Sequence, residues 1–96
     1  MKTILEIEEI LRRKDLEETH FLGLDQDKKN YYIGWKEGLN FTKNALLENE
    51  SSAQTHVEFM INCLSKSIDS RKAVYVNNLS QGWLKGYLES LKWFLN

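Results

Sequence analysis

Apolar positions recur along the chain at helical rather than strand spacing, and they divide it into four amphipathic segments. Ile4, Ile7 and Leu11 share one face of a first helix, broadened by Leu5 and Ile10. Thr3 and Glu6 stand at capping-box spacing at its start, with acids early and Arg12, Arg13 and Lys14 late, and the pattern predicts an end near Glu18. From His20 to Asp27 the apolar residues lose helical spacing. This reads as a connection whose Phe21 and Leu22 tuck back onto the bundle, with Asp25 or Asp27 capping a second helix from about Lys28 to Leu47.

The polar run Glu48 to Ser52 predicts a turn, with Ser51 or Ser52 capping a shorter third helix. Its inner side carries Val57, Met60, Ile61 and Leu64, with Phe59 and Cys63 adjoining. Ser65 to Ser70 reads as the next break. A fourth helix, capped by Asp69 or Ser70, would then reach the C-terminus unless Asn77 and Asn78 interrupt it. The fold class predicted is all-α, an antiparallel four-helix bundle in a single domain over 1–96.

Within this pattern, Gly34-Trp35-Lys36-Glu37-Gly38 and Gly82-Trp83-Leu84-Lys85-Gly86 share the form Gly-Trp-x-x-Gly at an offset of 48 residues (82 − 34), half the chain. The offset raises the possibility of an internal repeat, 1–48 and 49–96, of two helical hairpins. Gly34, Gly38 and Thr42 are spaced by four, as are Gly82, Gly86 and Ser90, so each long helix carries a ridge of small side chains. A glycine inside a helix costs about 1 kcal/mol relative to alanine, so the ridges imply compensation by close packing. We therefore expect the second and fourth helices to cross there, with Gly34, Gly38, Gly82 and Gly86 at the crossing and Trp35 and Trp83 laid over their neighbours. A glycine-floored ligand pocket is the competing reading of the same residues.

Around the fourth helix, Leu84, Leu88, Leu91 and Leu95 form a stripe flanked by Trp83, Tyr87 and Phe94, and Trp93 lies further round. The uncharged arc spans roughly two-thirds of the circumference, wide for a surface helix, which makes this helix the expected centre. Leu84, Leu88, Leu91, Trp93 and Leu95 are the candidate interface of a homodimer or with another protein.

Composition narrows the function classes. With 96 residues, 42% hydrophobic and 28% charged, the chain can bury one small core. Thirteen basic against 14 acidic residues give a net charge of −1, which argues against bulk nucleic-acid binding. Proline is absent, which favours long helices. A single cysteine and no apolar run of membrane-spanning or signal length predict a cytoplasmic protein without membrane insertion.

Motifs for chemistry are sparse. His20 and His56 lack metal-ligand spacing, Glu17-Glu18-Thr19-His20 supplies only one of the two Glu-x-x-His motifs of a di-metal bundle, and the run from Asp25 lacks the glycine and glutamate of a calcium loop. Cys63 lies two turns from His56 and reads as a small core residue. The basic groups Arg12 to Lys14, Lys28-Lys29 and Arg71-Lys72 are short and neighboured by acids. No catalytic residue, metal or cofactor is expected. The reading is a small non-enzymatic adaptor, inhibitor or immunity-type protein acting through an apolar helix surface. A helical DNA-binding regulator is the first alternative, and a small-ligand or metal-binding bundle is the second.

Overall fold

The computed structural model describes residues 1–20, 26–70 and 81–96. Thr3 and Glu6 form the capping box that opens α1 (Ile4–His20): the Glu6 amide donates to Thr3 Oγ1 at 3.2 Å and the Thr3 amide donates to Glu6 Oε1 at 3.2 Å. Ile7 is fully buried, with Ile10 and Leu11 packed beside it, while Leu5 points to solvent. The helix runs two residues past the expected end at Glu18.

Next comes α2 (Gln26–Glu48), which starts before the expected Lys28 and contains Asp27 within its first turn, so Asp27 is not the cap. Asp25, Phe21 and Leu22 lie outside the described residues. Only Asn49 separates α2 from α3 (Glu50–Ser70). Its amide closes α2 on the Ala45 carbonyl at 3.0 Å, and its Oδ1 accepts from the Ser51 amide at 3.1 Å and from the Ser51 hydroxyl at 2.7 Å. Asn49 thus caps α3 where Ser51 or Ser52 was expected. An asparagine side chain accepts from the first-turn amides and tolerates the backbone conformations of a tight turn, so one residue serves both helix ends.

The expected break from Ser65 to Ser70 is absent, because α3 continues through it and its 21 residues exceed the 17 of α1. Serine is a weak helix former but not a breaker, and neither glycine nor proline occurs there. Consequently Asp69 and Ser70 do not cap the last helix, which is described as α4 (Gln81–Leu95). Asn77 and Asn78 lie outside the described residues. On α3, Val57 and Ala53 are buried and Met60, Ile61 and Leu64 pack against the core, whereas Phe59 and Cys63 are exposed. Cys63 is therefore not the core residue expected: seven residues from His56, it continues that outward side of the helix.

The described residues form an all-helical bundle of four helices. Lys36 and Lys43 of α2 pair with Asp15 and Glu8 of α1 at 3.0 and 3.2 Å, the antiparallel order of a helical hairpin. Phe41 meets the ring of His56 edge-on at 5.3 Å, which folds α3 back on α2. The Lys2 amide donates to the Phe94 carbonyl at 3.0 Å, so α4 ends beside the start of α1, at the same end of the bundle as the end of α2. α2 touches all three other helices and packs most extensively on α4. The centre is thus this pair, with α2 as its hub, rather than α4 alone. The resulting body is flat, 38 × 35 × 19 Å.

Both caps are exposed and local, so Thr3→Ala and Asn49→Ala should each cost about 1 kcal/mol in chemical denaturation with an unchanged m-value. A fall in m would instead signal that the hairpins, not the caps alone, had loosened.

Candidate functional site

The crossing of α2 and α4 is built where glycines remove the side chains that would hold two helices apart. A Cβ placed on Gly34 would overlap the Trp83 carbonyl oxygen and lie 2.8 Å from its carbon. One on Gly86 would overlap the Tyr31 carbonyl oxygen and lie 3.0 Å from the Trp35 nitrogen. On Gly38 it would overlap Ser90 Oγ and lie 3.0 Å from the Tyr87 carbonyl oxygen. At Gly34 and Gly86 backbone packs on backbone, at Gly38 the Ser90 side chain fills the gap, and no space remains at these three positions for a ligand floored by glycine. Gly82 is only partly buried.

The contacts obey an approximate two-fold relation in which an α2 residue corresponds to the α4 residue 52 positions later (86 − 34). Gly34 against Trp83 is matched by Gly86 against Tyr31, and Gly38 against Ser90 lies on the axis. The Trp35–Trp93 pair, with ring centroids 6.4 Å apart, is matched by Phe41–Tyr87 at 6.3 Å. The Tyr31 hydroxyl donates to the Glu89 carboxylate on one side of the crossing; on the other, Trp83 Nε1 donates to Glu37 Oε2 at 2.9 Å. The register that organises these contacts is therefore 52, not the 48 of the Gly-Trp pattern.

Sequence reasoning passed over Glu37, Glu89 and Tyr31. Their signal is Tyr31-x-x-Gly34-Trp35-x-Glu37-Gly38-Leu39 set against Trp83-x-x-Gly86-Tyr87-x-Glu89-Ser90-Leu91: aromatic, glycine, aromatic, glutamate, small, leucine. At 100° per residue the i−3 aromatic and the i+3 glutamate flank each glycine on opposite sides. Each reaches the complementary group of the other helix.

Both carboxylates are occupied in this arrangement. Glu89 also accepts from Trp35 Nε1 at 3.2 Å, and that indole lies 3.1 Å from the Tyr31 hydroxyl. Trp35 is buried, with the Lys14 ammonium 4.6 Å from its ring centroid, while Trp83 stacks on Tyr87 at 4.9 Å and stays partly exposed. Burial, and then the hydrogen bond to Glu89, raise the Tyr31 pKa above its usual 10.0. Burial and the Glu37 charge do the same for Tyr87. Both shifts favour the neutral phenol, in which the hydroxyl can donate a hydrogen bond.

No protein-family model, curated protein or solved structure matches the chain.

Two of the five residues of the candidate interface of α4 are taken up by the fold. Leu91 is fully buried and Leu84 nearly so, and Leu88, Trp93 and Leu95 are partly covered, with Lys2 placing its ammonium 5.3 Å from the Trp93 ring centroid. Leu84 and Leu91 therefore serve the chain's own core, because the glycine crossing draws α4 inward along the diagonal of the bundle. Thr42 and Ser90, also fully buried, donate to the carbonyls of Leu39 and Tyr87 at 2.8 and 2.6 Å, which leaves neither hydroxyl unsatisfied. An open cleft of about 390 Å³ lies away from the crossing, between Met1–Leu5 of the α1 start and Leu46 and Glu50.

Among the described residues, no group of three or more His, Cys, Asp or Glu side chains could hold a metal ion. His56 instead packs on Phe41, and the side chain of His20 lies outside the description. The basic pair Arg12-Arg13 is exposed on α1, where Arg13 meets Glu9 at 3.1 Å; Arg71 and Lys72 lie outside the described residues.

Alanine normally strengthens a helix relative to glycine by about 1 kcal/mol, but Gly34→Ala and Gly86→Ala should each lose about 1–3 kcal/mol or more in denaturant titration, because the added methyl meets backbone. Stabilisation by either substitution would show that the helices can part without cost. The tyrosines give a second test through pH. Their folded pKa values lie above the unfolded ones, so the stability they contribute is complete below pH 10 and is lost as pH rises through the raised values. Thermal melts should show stability falling on the alkaline side of pH 10, and Tyr31→Phe should flatten that fall.

Proposed function

We propose that the chain is a small, non-enzymatic helical protein-binding or regulatory module that works through the outer faces of its helices. The observation that carries this reading is the placement of large apolar side chains. Leu5 and Leu16 on α1, Leu47 at the end of α2 and Phe59 on α3 are all mainly solvent-exposed, although a flat four-helix body has ample polar residues to put there. Single exposed apolar side chains are ordinary, but large ones aligned on an otherwise charged helix face, as Leu5 and Leu16 are on α1, suit a protein contact. No helix among the described residues is long and apolar enough to cross a membrane, so a lipid-spanning role does not account for them. The two aromatic–carboxylate clusters at the crossing supply rigidity, which lowers the ordering cost of presenting a fixed surface. A single cysteine in the sequence suits a cytoplasmic setting.

The interleaving of Glu9 with Arg12 and Arg13 on α1 places acid where a phosphate backbone would need uniform positive charge. The DNA-binding alternative therefore gains no support from this face.

Photo-reactive residues introduced in the native cell at Leu16 and Phe59, with exposed Gln54 as control, test the reading. A discrete cross-linked protein species from position 16 or 59 and none from 54 is the expected result. Equal, diffuse labelling at all three positions would overturn it.

A further inference from the structure

We infer that the outer face of α1 is a self-complementary docking surface on which a second copy of this chain packs antiparallel. This deepens the protein-binding reading above and rests on it. The stripe Leu5, Glu9, Arg12, Leu16 is spaced by four, three and four residues, the alternation by which one helix presents a seam to another. All four residues are exposed, with Leu5 and Leu16 at 77% and 66% of full exposure. The stripe lies diametrically opposite Ile7, Leu11 and Lys14, the residues that α1 turns toward the rest of the molecule.

The order of residues along this stripe decides the occupant. A two-fold axis midway between Ile10 and Leu11 brings Leu5 of each copy against Leu16 of the other and Glu9 of each against Arg12 of the other. Apolar groups thus meet at both ends and opposite charges meet twice in the middle. A parallel pairing would set like charges side by side, a costly arrangement, so the face selects both the partner and the direction.

The flanks permit the same arrangement. On one side the Glu6 carboxylate accepts from the Thr3 amide and Arg13 meets Glu9 of its own helix at 3.1 Å, so this flank opposes no unbalanced like charges. On the other side Glu8 and Asp15 are already neutralised by Lys43 and Lys36 of their own chain, at 3.2 and 3.0 Å. The stripe is about 16 Å long at 1.5 Å rise per residue, so the contact falls at the small end of protein interfaces and its association is reversible.

Sedimentation equilibrium on the full chain tests this directly. The wild-type chain should show a concentration-dependent monomer–dimer equilibrium. Glu9→Arg or Arg12→Glu alone should weaken the dimer by at least about tenfold, because like charges then face each other. The exchange variant Glu9→Arg/Arg12→Glu should recover most of the affinity, and Leu16→Glu should remain monomeric. Each replaced side chain is exposed, and superimposable far-ultraviolet circular dichroism spectra would confirm that the variants fold.

A wild-type chain that stays monomeric to its solubility limit overturns the proposal. So does a dimer indifferent to Leu16→Glu, or a charge exchange that fails to restore association. If the chain is monomeric while the photo-probe at position 16 captures a different protein, self-docking falls and the binding-module reading stands. Monomer with no cross-link from either position 16 or 59 removes both.

Discussion

The structure depends on one close approach, that of the α2 and α4 backbones at Gly34, Gly38 and Gly86. In a bundle whose sequence neighbours run antiparallel, the second and fourth helices occupy a diagonal and normally stand apart across the core. Here they touch, because on each helix the facing side chains are reduced to hydrogen or to a single hydroxymethyl group. Drawing the diagonal together leaves less room between α1 and α3, which flank the pair instead of closing a square around it. The 19 Å thickness follows from that geometry. So does the burial of Leu84 and Leu91, since a helix pulled inward loses the exposed leucine stripe that its sequence alone suggests.

Small residues permit such an approach but do not by themselves fix where it occurs. Three mid-helix glycines weaken their helices by about 1 kcal/mol each, and close contact offsets this where Gly34 and Gly86 meet backbone and Gly38 meets Ser90. The aromatic–carboxylate pairs supply the directional part. Tyr31 with Glu89 and Trp83 with Glu37 bridge the crossing on opposite sides, and each pair joins a donor to a charged acceptor. Sliding α4 by one turn toward its C-terminal end would bring Gly82 to the place of Gly86 and keep a surface of small residues, yet it would part both pairs together. Small residues therefore permit the close approach, and the aromatic–carboxylate pairs hold its register.

What was legible in the sequence follows the range of the forces concerned. The Thr3–Glu6 box, Ile7 with Ile10 and Leu11 on α1, and Val57 with Met60, Ile61 and Leu64 on α3 are local and were readable from spacing, whereas Leu5, Phe59 and Cys63, expected at the margins of those faces, are exposed. The glycine ridge was readable too, since glycines inside helices carry a cost that calls for compensation. The contact register was not, because the identical Gly-Trp dipeptides at an offset of 48 residues (82 − 34) draw attention to identity, whereas contact depends on chemical kind at facing positions. Tyr31 and Trp83, or Gly38 and Ser90, are equivalent in shape and role without being identical. The break expected after Leu64 failed for a related reason: a serine-rich run weakens a helix locally, but α3 stays anchored on the core through Ile61 and Leu64 and continues to Ser70. Asn49 displaced Ser51 and Ser52 as the cap because the helices sit so close in sequence that one residue must end one and begin the next.

The same constraint bears on where activity can reside. A chain of this size has few interior positions, and here the best-formed of them are filled: the crossing admits no extra methyl at three sites, its carboxylates accept hydrogen bonds from tyrosine and tryptophan, and its buried hydroxyls are satisfied within their own helices. Among the described residues, a group bound at the crossing would have to displace the contacts that hold α4 on α2. The outer faces are under no such demand. On α1 the inward side is fixed by Ile7 and the cation over Trp35, and one flank by the ion pairs to Lys36 and Lys43, which leaves the opposite side to vary without loss of stability. Polar residues would suffice there, yet two leucines bracket a pair of opposite charges. Under the proposed self-docking, that departure from what folding requires is what places the contact on the surface of α1 rather than at the crossing.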